Sequence, residues 1–179
     1  MAGRVTQGQL RAAVVYTTHF GTTERIARAL EAGLKRGGMW TLCANVNDVP
    51  AESIGQYDLL CFGGPTEFMG LSKRMDEYME ELKKVQLPGK LYFAFDTKNG
   101  TPFAGSAAKC IQKRADSQGL REIAKRESAI VKTVRQGTLI TGNVLREGEE
   151  ARFEQVGYKV AMAAIGAMSV KPTVVSSDR

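Results

Sequence analysis

The segment Thr17-Thr18-His19-Phe20-Gly21-Thr22-Thr23 carries the residue types best suited to chemistry. It follows the apolar run Ala12 to Tyr16 and opens a segment with helical periodicity. The amino end of a helix leaves backbone amides unpaired and carries partial positive charge, so it suits an anion. Thr18, Thr22 and Thr23 add hydroxyls, and Gly21 lets the backbone approach the bound group closely. No lysine is present in the loop, so it is not a triphosphate loop of the Gly-x-x-x-x-Gly-Lys-Ser/Thr kind, and the dinucleotide pattern Gly-x-Gly-x-x-Gly is absent as well. What the residues can build is a monophosphate cradle of amides and hydroxyls. The plainer alternative is a helix capped by threonine. His19 is the single histidine of the chain, which argues against multi-histidine metal sites and most histidine-based triads. It reads as a loop residue, with no role in proton transfer.

These residues need a frame to hold them. Ala12–Tyr16 reads as a buried strand, and Ile26, Ala29, Leu30 and Leu34 repeat at helical spacing until Lys35, Arg36 and Gly37-Gly38 close the helix. Trp40–Val46 and Leu59–Phe62 read as the second and third strands. Leu71–Val85 reads as a helix with Met75, Tyr78, Met79 and Leu82 on one face. Lys90–Phe95 is the fourth strand, and Ser106 caps a helix that ends near Gln118-Gly119. Ala129–Val134 is the fifth strand, broken and resumed at Leu139-Ile140, and Glu149 to about Ala167 is the closing helix. Strands alternate with helices, which predicts an α/β fold with parallel strands, right-handed crossovers and helices on both faces. In such sheets ligands sit beyond the carboxyl ends of the strands, where strand order reverses. The loops after the first, third and fourth strands are therefore the ones to examine.

The pattern Val14-Val15-Tyr16-x-Thr18-x-x-Gly21-x-Thr23, followed by Ala27 and Leu30, resembles the signature of the flavodoxin family. The likeness covers roughly residues 11 to 166. It implies a doubly wound five-stranded parallel sheet in the order 2-1-3-4-5 and FMN as cofactor. By resemblance Thr18, His19, Phe20, Gly21, Thr22 and Thr23 hold the FMN phosphate, with Phe20 where many members place Thr or Asn. Gly63-Gly64-Pro65-Thr66-Glu67-Phe68-Met69-Gly70-Leu71-Ser72 resembles the second flavin loop, in the Gly-x-Pro-Thr-x-aromatic form of quinone reductases of this fold. There Pro65, Thr66, Glu67, Phe68 and Met69 would meet the flat ring, with Phe68 packed on or beside it, and Gly70 would ease a backbone turn. Otherwise the loop is a tight turn whose Phe68 and Met69 cover the core. Asp96-Thr97-Lys98-Asn99-Gly100-Thr101-Pro102-Phe103 stands at the third flavin loop. Asp96, Thr97 and Lys98 are its candidate contacts. The stacking tyrosine common in the family is missing, and Phe103 is the candidate replacement. Asp96 also suits a plain turn-forming carboxylate.

The 179 residues suit one domain, expected over 11–167 between a polar amino-terminal tail (1–10) and a loosely ordered carboxyl-terminal tail (168–179). Apolar residues make up 43% and charged residues 25%, with no membrane-length run and no secretory stretch, so a cytoplasmic location is expected and no membrane partner. Cys43, Cys61 and Cys110 stand far apart, which suggests neither a disulfide framework nor a zinc site. The net charge of +6 is unusual beside the strongly acidic members of the family. Part of it falls on Lys109, Lys113, Arg114, Arg121, Lys125, Arg126, Lys132 and Arg135, against Asp116, Glu122 and Glu127. That run reads as a solvated face or as a docking surface for an acidic partner, and no motif in it points to nucleic acid. Three functions follow from the resemblance. The first is an FMN electron carrier, needing no catalytic side chain and served by a redox partner protein that is acidic. The second is an FMN-dependent NAD(P)H:quinone or flavin oxidoreductase. The third is an interaction module without FMN.

Overall fold

A computed structural model describes residues 8–169. In chain order the elements are β1 (Arg11–Tyr16), α1 (Thr22–Arg36), β2 (Trp40–Asn45), β3 (Leu59–Glu67), β4 (Gly70–Leu71), α2 (Lys73–Glu81), β5 (Leu91–Asn99), α3 (Ala107–Ser117), β6 (Arg121–Glu122), β7 (Glu127–Gln136), β8 (Leu139–Leu145) and α4 (Glu149–Ser169). Short 3₁₀ turns cover Ala51–Gln56 and Leu82–Lys84. Of the expected tails 1–10 and 168–179, residues 1–7 and 170–179 lie outside the described residues, and α4 continues through Met168 and Ser169, past its expected end.

The long strands stand in the order β2-β1-β3-β5-β7 and are all parallel, which is the expected order 2-1-3-4-5. The sheet is not a five-stranded parallel one, however. The resumed fifth strand is a reversal: β8 runs back antiparallel along β7 and forms the edge. Gly137, with φ +62°, starts the two-residue connection, as the tight turns that join antiparallel strands require. The short β4 pairs with β3, and β6 with β5.

Alternation along the strands divides the core in two. Val14, Cys61, Phe93 and Phe95 face α1 and α4, whereas Val15, Phe62, Tyr92 and Ala94 face α2 and α3. Each large apolar side chain fully buried this way contributes roughly 1.5–3 kcal/mol. The pair α1–α4 packs backbone to backbone: a Cβ on Gly157 would stand 2.2 Å from the Leu30 carbonyl oxygen. Arg25 and Arg36 reach Glu150 and Glu154 of α4 across the same contact. Strand order reverses between β1 and β3, so their carboxyl ends mark the switch point. Thr17 there donates its amide to the Gly63 carbonyl at 3.0 Å. Among the described residues no helix is long and apolar enough to cross a membrane.

Candidate cofactor site

A cleft of about 560 Å³ crosses the carboxyl rim of the sheet, a size typical of small-molecule sites. Its first wall is the loop after β1, where His19 and Phe20 face it. Gly21 sits at the N-cap of α1 with φ +81° and open space around it, a conformation that other residues adopt only with strain. Its own amide is spent on Thr18 Oγ1 at 3.0 Å. The amides of Thr18, His19, Phe20, Thr22 and Thr23 donate to no acceptor among the described residues. They form a rim of donors at the positive end of a helix of 15 residues. Thr22 and Thr23 are buried. Thr23 does not offer its hydroxyl to the rim as expected. It lies against the sheet and shares a 2.8 Å hydrogen bond with Thr97 Oγ1, because the second helical position points inward.

The second wall is the end of β3. Gly63, Gly64 and Pro65 continue the parallel ladder to Phe95, Asp96 and Thr97, which carries Pro65, Thr66, Glu67 and Phe68 out to the cleft. Pro65 is tolerated because the pairing of β1 with β3 ends at Gly63, leaving its nitrogen without a strand partner. The chain then reverses. Thr66 and Glu67 pair antiparallel with Leu71 and Gly70 across a two-residue turn, Phe68-Met69, both with positive φ (+44° and +69°). Such turns favour Asn-Gly, so Phe and Met here are strained. The expected glycine, Gly70, lies in β4 instead and does not line the cleft. Phe68 projects into solvent at the cleft mouth and is not packed on any protein surface (104% exposed), and Met69 is exposed off the cleft.

The third wall comes from β5, where Thr97, Lys98 and Asn99 face the cleft. Asp96 does not. It is fully buried beneath it, and its Oδ2 accepts from Ser106 Oγ (2.7 Å), the Ala108 amide (2.9 Å) and Thr66 Oγ1 (3.2 Å). Ser106 in turn accepts from the Lys109 amide, as its capping role predicts. Asp96 therefore pins the start of α3 to the second wall. Phe103 is exposed (85%) in the turn after β5 and lies off the cleft, so it does not take the place of a stacking tyrosine.

Sequence reasoning missed the fourth wall, formed by Val131 and Thr133 of β7 and Ile140 and Asn143 of β8. Thr133 is opposite Asn143, and its hydroxyl accepts from Asn99 Nδ2 at 3.3 Å. A bulge inserts Thr141 between Gly142 and Ile140, so Ile140 rather than Thr141 stands opposite Arg135 and on the cleft face. The alternation of Val131 and Thr133 was readable, but the bulge that aims Ile140 inward has no local signal.

The sequence model of the flavodoxin family, described as "Flavodoxin", matches residues 14–156, well over half of the chain. The chain belongs to the flavodoxin family. A flavodoxin from Clostridium saccharobutylicum is 31% identical over 91 residues, and that match spans 50% of this chain and 57% of the relative. The chain thus matches little more than half the length of that curated relative. Among solved structures, a flavodoxin from the domain Archaea superposes with a TM-score of 0.71 at 17% identity, covering 87% of this chain and 99% of the other. Oxidised flavodoxin 1 from Bacillus cereus gives 0.70 at 15%, covering 85% and 97%. Rubredoxin oxygen:oxidoreductase from Desulfovibrio gigas gives 0.72 at 15%, covering 89% of this chain but 37% of the larger protein. These structural likenesses establish the fold. Flavodoxin family proteins bind FMN, and the donor set here fits it: free amides at a helix amino end for a phosphate, beside a cleft walled by Phe20, Val131 and Ile140 for a flat ring.

Proposed function

We propose that this flavodoxin-family chain is an electron carrier that holds FMN across the cleft, its phosphate on the amides of the β1–α1 loop. The observation that carries the reading is the row of free amides around left-handed Gly21 at the switch point. The amides of Thr18, His19, Phe20, Thr22 and Thr23 bind and orient the phosphate, Gly21 shapes the turn that aims them, and the Thr23 hydroxyl steadies the loop from beneath through Thr97. Pro65, Thr66, Glu67 and Phe68 flank the ring on one side, and Lys98 places a cation beside it. Asp96 acts as a positioning residue through Thr66. Bound FMN supplies the electron-transfer chemistry, and no side chain need act as acid, base or nucleophile. The unit that does this is the single domain 11–167, extended by α4 to Ser169.

The partner is a redox protein, and the positive balance of the chain makes it an acidic one. A cytoplasmic setting suits Cys43, Cys61 and Cys110, none of which is in a disulfide. One observation favours a second reading, an FMN-dependent NAD(P)H:quinone or flavin oxidoreductase: the cleft extends past the flavin loops to uncharged Thr133 and Asn143. The test is reconstitution with FMN followed by steady-state assay with NADH or NADPH and a quinone. Uptake of FMN without turnover supports the carrier, and clear turnover supports the reductase. If apo-protein leaves flavin fluorescence unquenched at micromolar concentration, both give way to an interaction module without FMN.

A further inference from the structure

The β7–β8 hairpin leaves the sheet in a way that the cofactor cleft alone does not explain. Its root is fixed: Arg152 of α4 bonds Glu127 and the Ser128 carbonyl, and the Arg146 amide donates to the Ile130 carbonyl. Pairing of β7 with β5 stops at Val131, yet β7 runs on to Gln136 and turns back through β8. Beyond Val131 the two strands therefore have only each other as strand partners. This projecting part exposes Leu139 (67%), Val144 (55%), Ile140 (45%) and Val134 (41%). Between Glu127 and Glu147 the sequence has no acidic residue. Lys132 and Arg135 on the hairpin, and Lys98 in the neighbouring wall, make no ion pair among the described residues. By contrast, Arg114 on α3 is engaged by Asp76 and Glu80.

We propose that the tip of this hairpin is the docking surface for an acidic protein redox partner that straddles it, meeting Val134, Leu139 and Lys132 on the face turned away from the cleft and Ile140 and Arg135 on the cleft face. The proposal rests on the electron-carrier reading and adds to it the place of contact. Apolar contacts flanked by charged ones are the usual anatomy of a protein interface. A second copy of the chain does not fit, because its own Lys132 and Arg135 would meet like charges. An acidic surface does fit, and it would be steered by the same cations. Ile140 joins the surface to the cleft, since it both lines the cofactor site and is exposed at the tip. A protein seated there rests against the cleft mouth, which is where electrons must enter or leave. That placement favours a protein over an anionic membrane, whose surface would also attract a basic, apolar tip.

The test uses the FMN-loaded full chain and a plant-type [2Fe–2S] ferredoxin as the acidic probe, with affinity measured calorimetrically at low and high salt. The expected result is saturable binding that weakens with salt and falls by about tenfold or more in Lys132→Glu/Arg135→Glu. Val134→Ser/Leu139→Ser weakens binding without changing its salt dependence. Lys109→Glu/Lys113→Glu, which reverses exposed charges on α3, leaves the affinity within about twofold. Absence of binding by the wild type, an equal loss in the α3 variant, or no loss in the hairpin variant overturns the proposal. So does retention of the wild type on phosphatidylserine vesicles without ferredoxin binding. FMN uptake is measured on every variant: failure of uptake by the wild type sinks the carrier reading itself, whereas normal uptake with hairpin-independent ferredoxin binding sinks only the docking surface.

Discussion

Asp96 is the residue whose role changes most between sequence and structure. Its place at the end of a strand, in a loop that resembles a flavin loop, made it a cofactor contact by analogy. Its full burial and three hydrogen bonds to Oδ2 make it the peg that joins β3, β5 and α3. Sequence order could not reveal this, because the donors come from Thr66, Ser106 and Ala108, brought together only by the crossover. Removal of the peg in Asp96→Ala leaves those donors unmatched, and we expect a loss of more than about 2 kcal/mol in denaturant unfolding together with weaker FMN binding. Asp96→Asn keeps one acceptor oxygen and falls between the two. Unchanged stability in the alanine variant would contradict the role. A second residue-scale expectation concerns alkali. Burial, then the neighbouring Glu24 carboxylate, pushes the Tyr16 phenol up from 10.0 to about 12. Burial, then the charge of Glu31, pushes the Cys43 thiol up from 9.0 to about 12. The fold thus favours both neutral forms. Their contribution is whole below the unfolded values near 9 and 10 and is lost as pH rises toward about 12. The denaturant midpoint is expected to fall steadily across that window, and a flat profile would show that the two groups titrate as they do in the unfolded chain.

At the scale of elements, the parallel core was legible because fully buried strands read as apolar runs and their helices as amphipathic stripes. The phosphate loop was legible for the same reason, since its strand, glycine and helix are contiguous in sequence. Two features were not. In the sequence the break after Val134 reads as an interrupted strand, although Gly137 marks a reversal whose cross-strand partners are set by long-range packing. The turn Phe68-Met69 was equally hidden, because neither residue advertises positive φ. That turn supports a prediction. Left-handed backbone at an ordinary residue is unfavourable by about 1–2 kcal/mol, and Asn-Gly relieves it. Phe68→Asn/Met69→Gly should therefore stabilise the fold in thermal or denaturant unfolding while weakening FMN binding, since Phe68 lines the cleft mouth. A variant that is destabilised, or that binds FMN more tightly, would show that the turn is not strained for the sake of the site.

Over the whole molecule, an open sheet with helices on both faces places one crevice at its switch point, and the free amides of the first loop fall inside that region. The family was legible from that loop alone. The hairpin that widens the crevice and carries unpaired positive charge was not, because it depends on an edge strand that only the assembled sheet defines. The central claim is that uncharged donors at the start of α1 hold the phosphate of FMN. Parallel fluorescence titrations of the apo-protein with FMN and with riboflavin, which lacks the phosphate, test it most directly. We predict that FMN binds tighter than riboflavin by at least about two orders of magnitude, some 2.7 kcal/mol. Equal affinities for the two flavins would contradict the account.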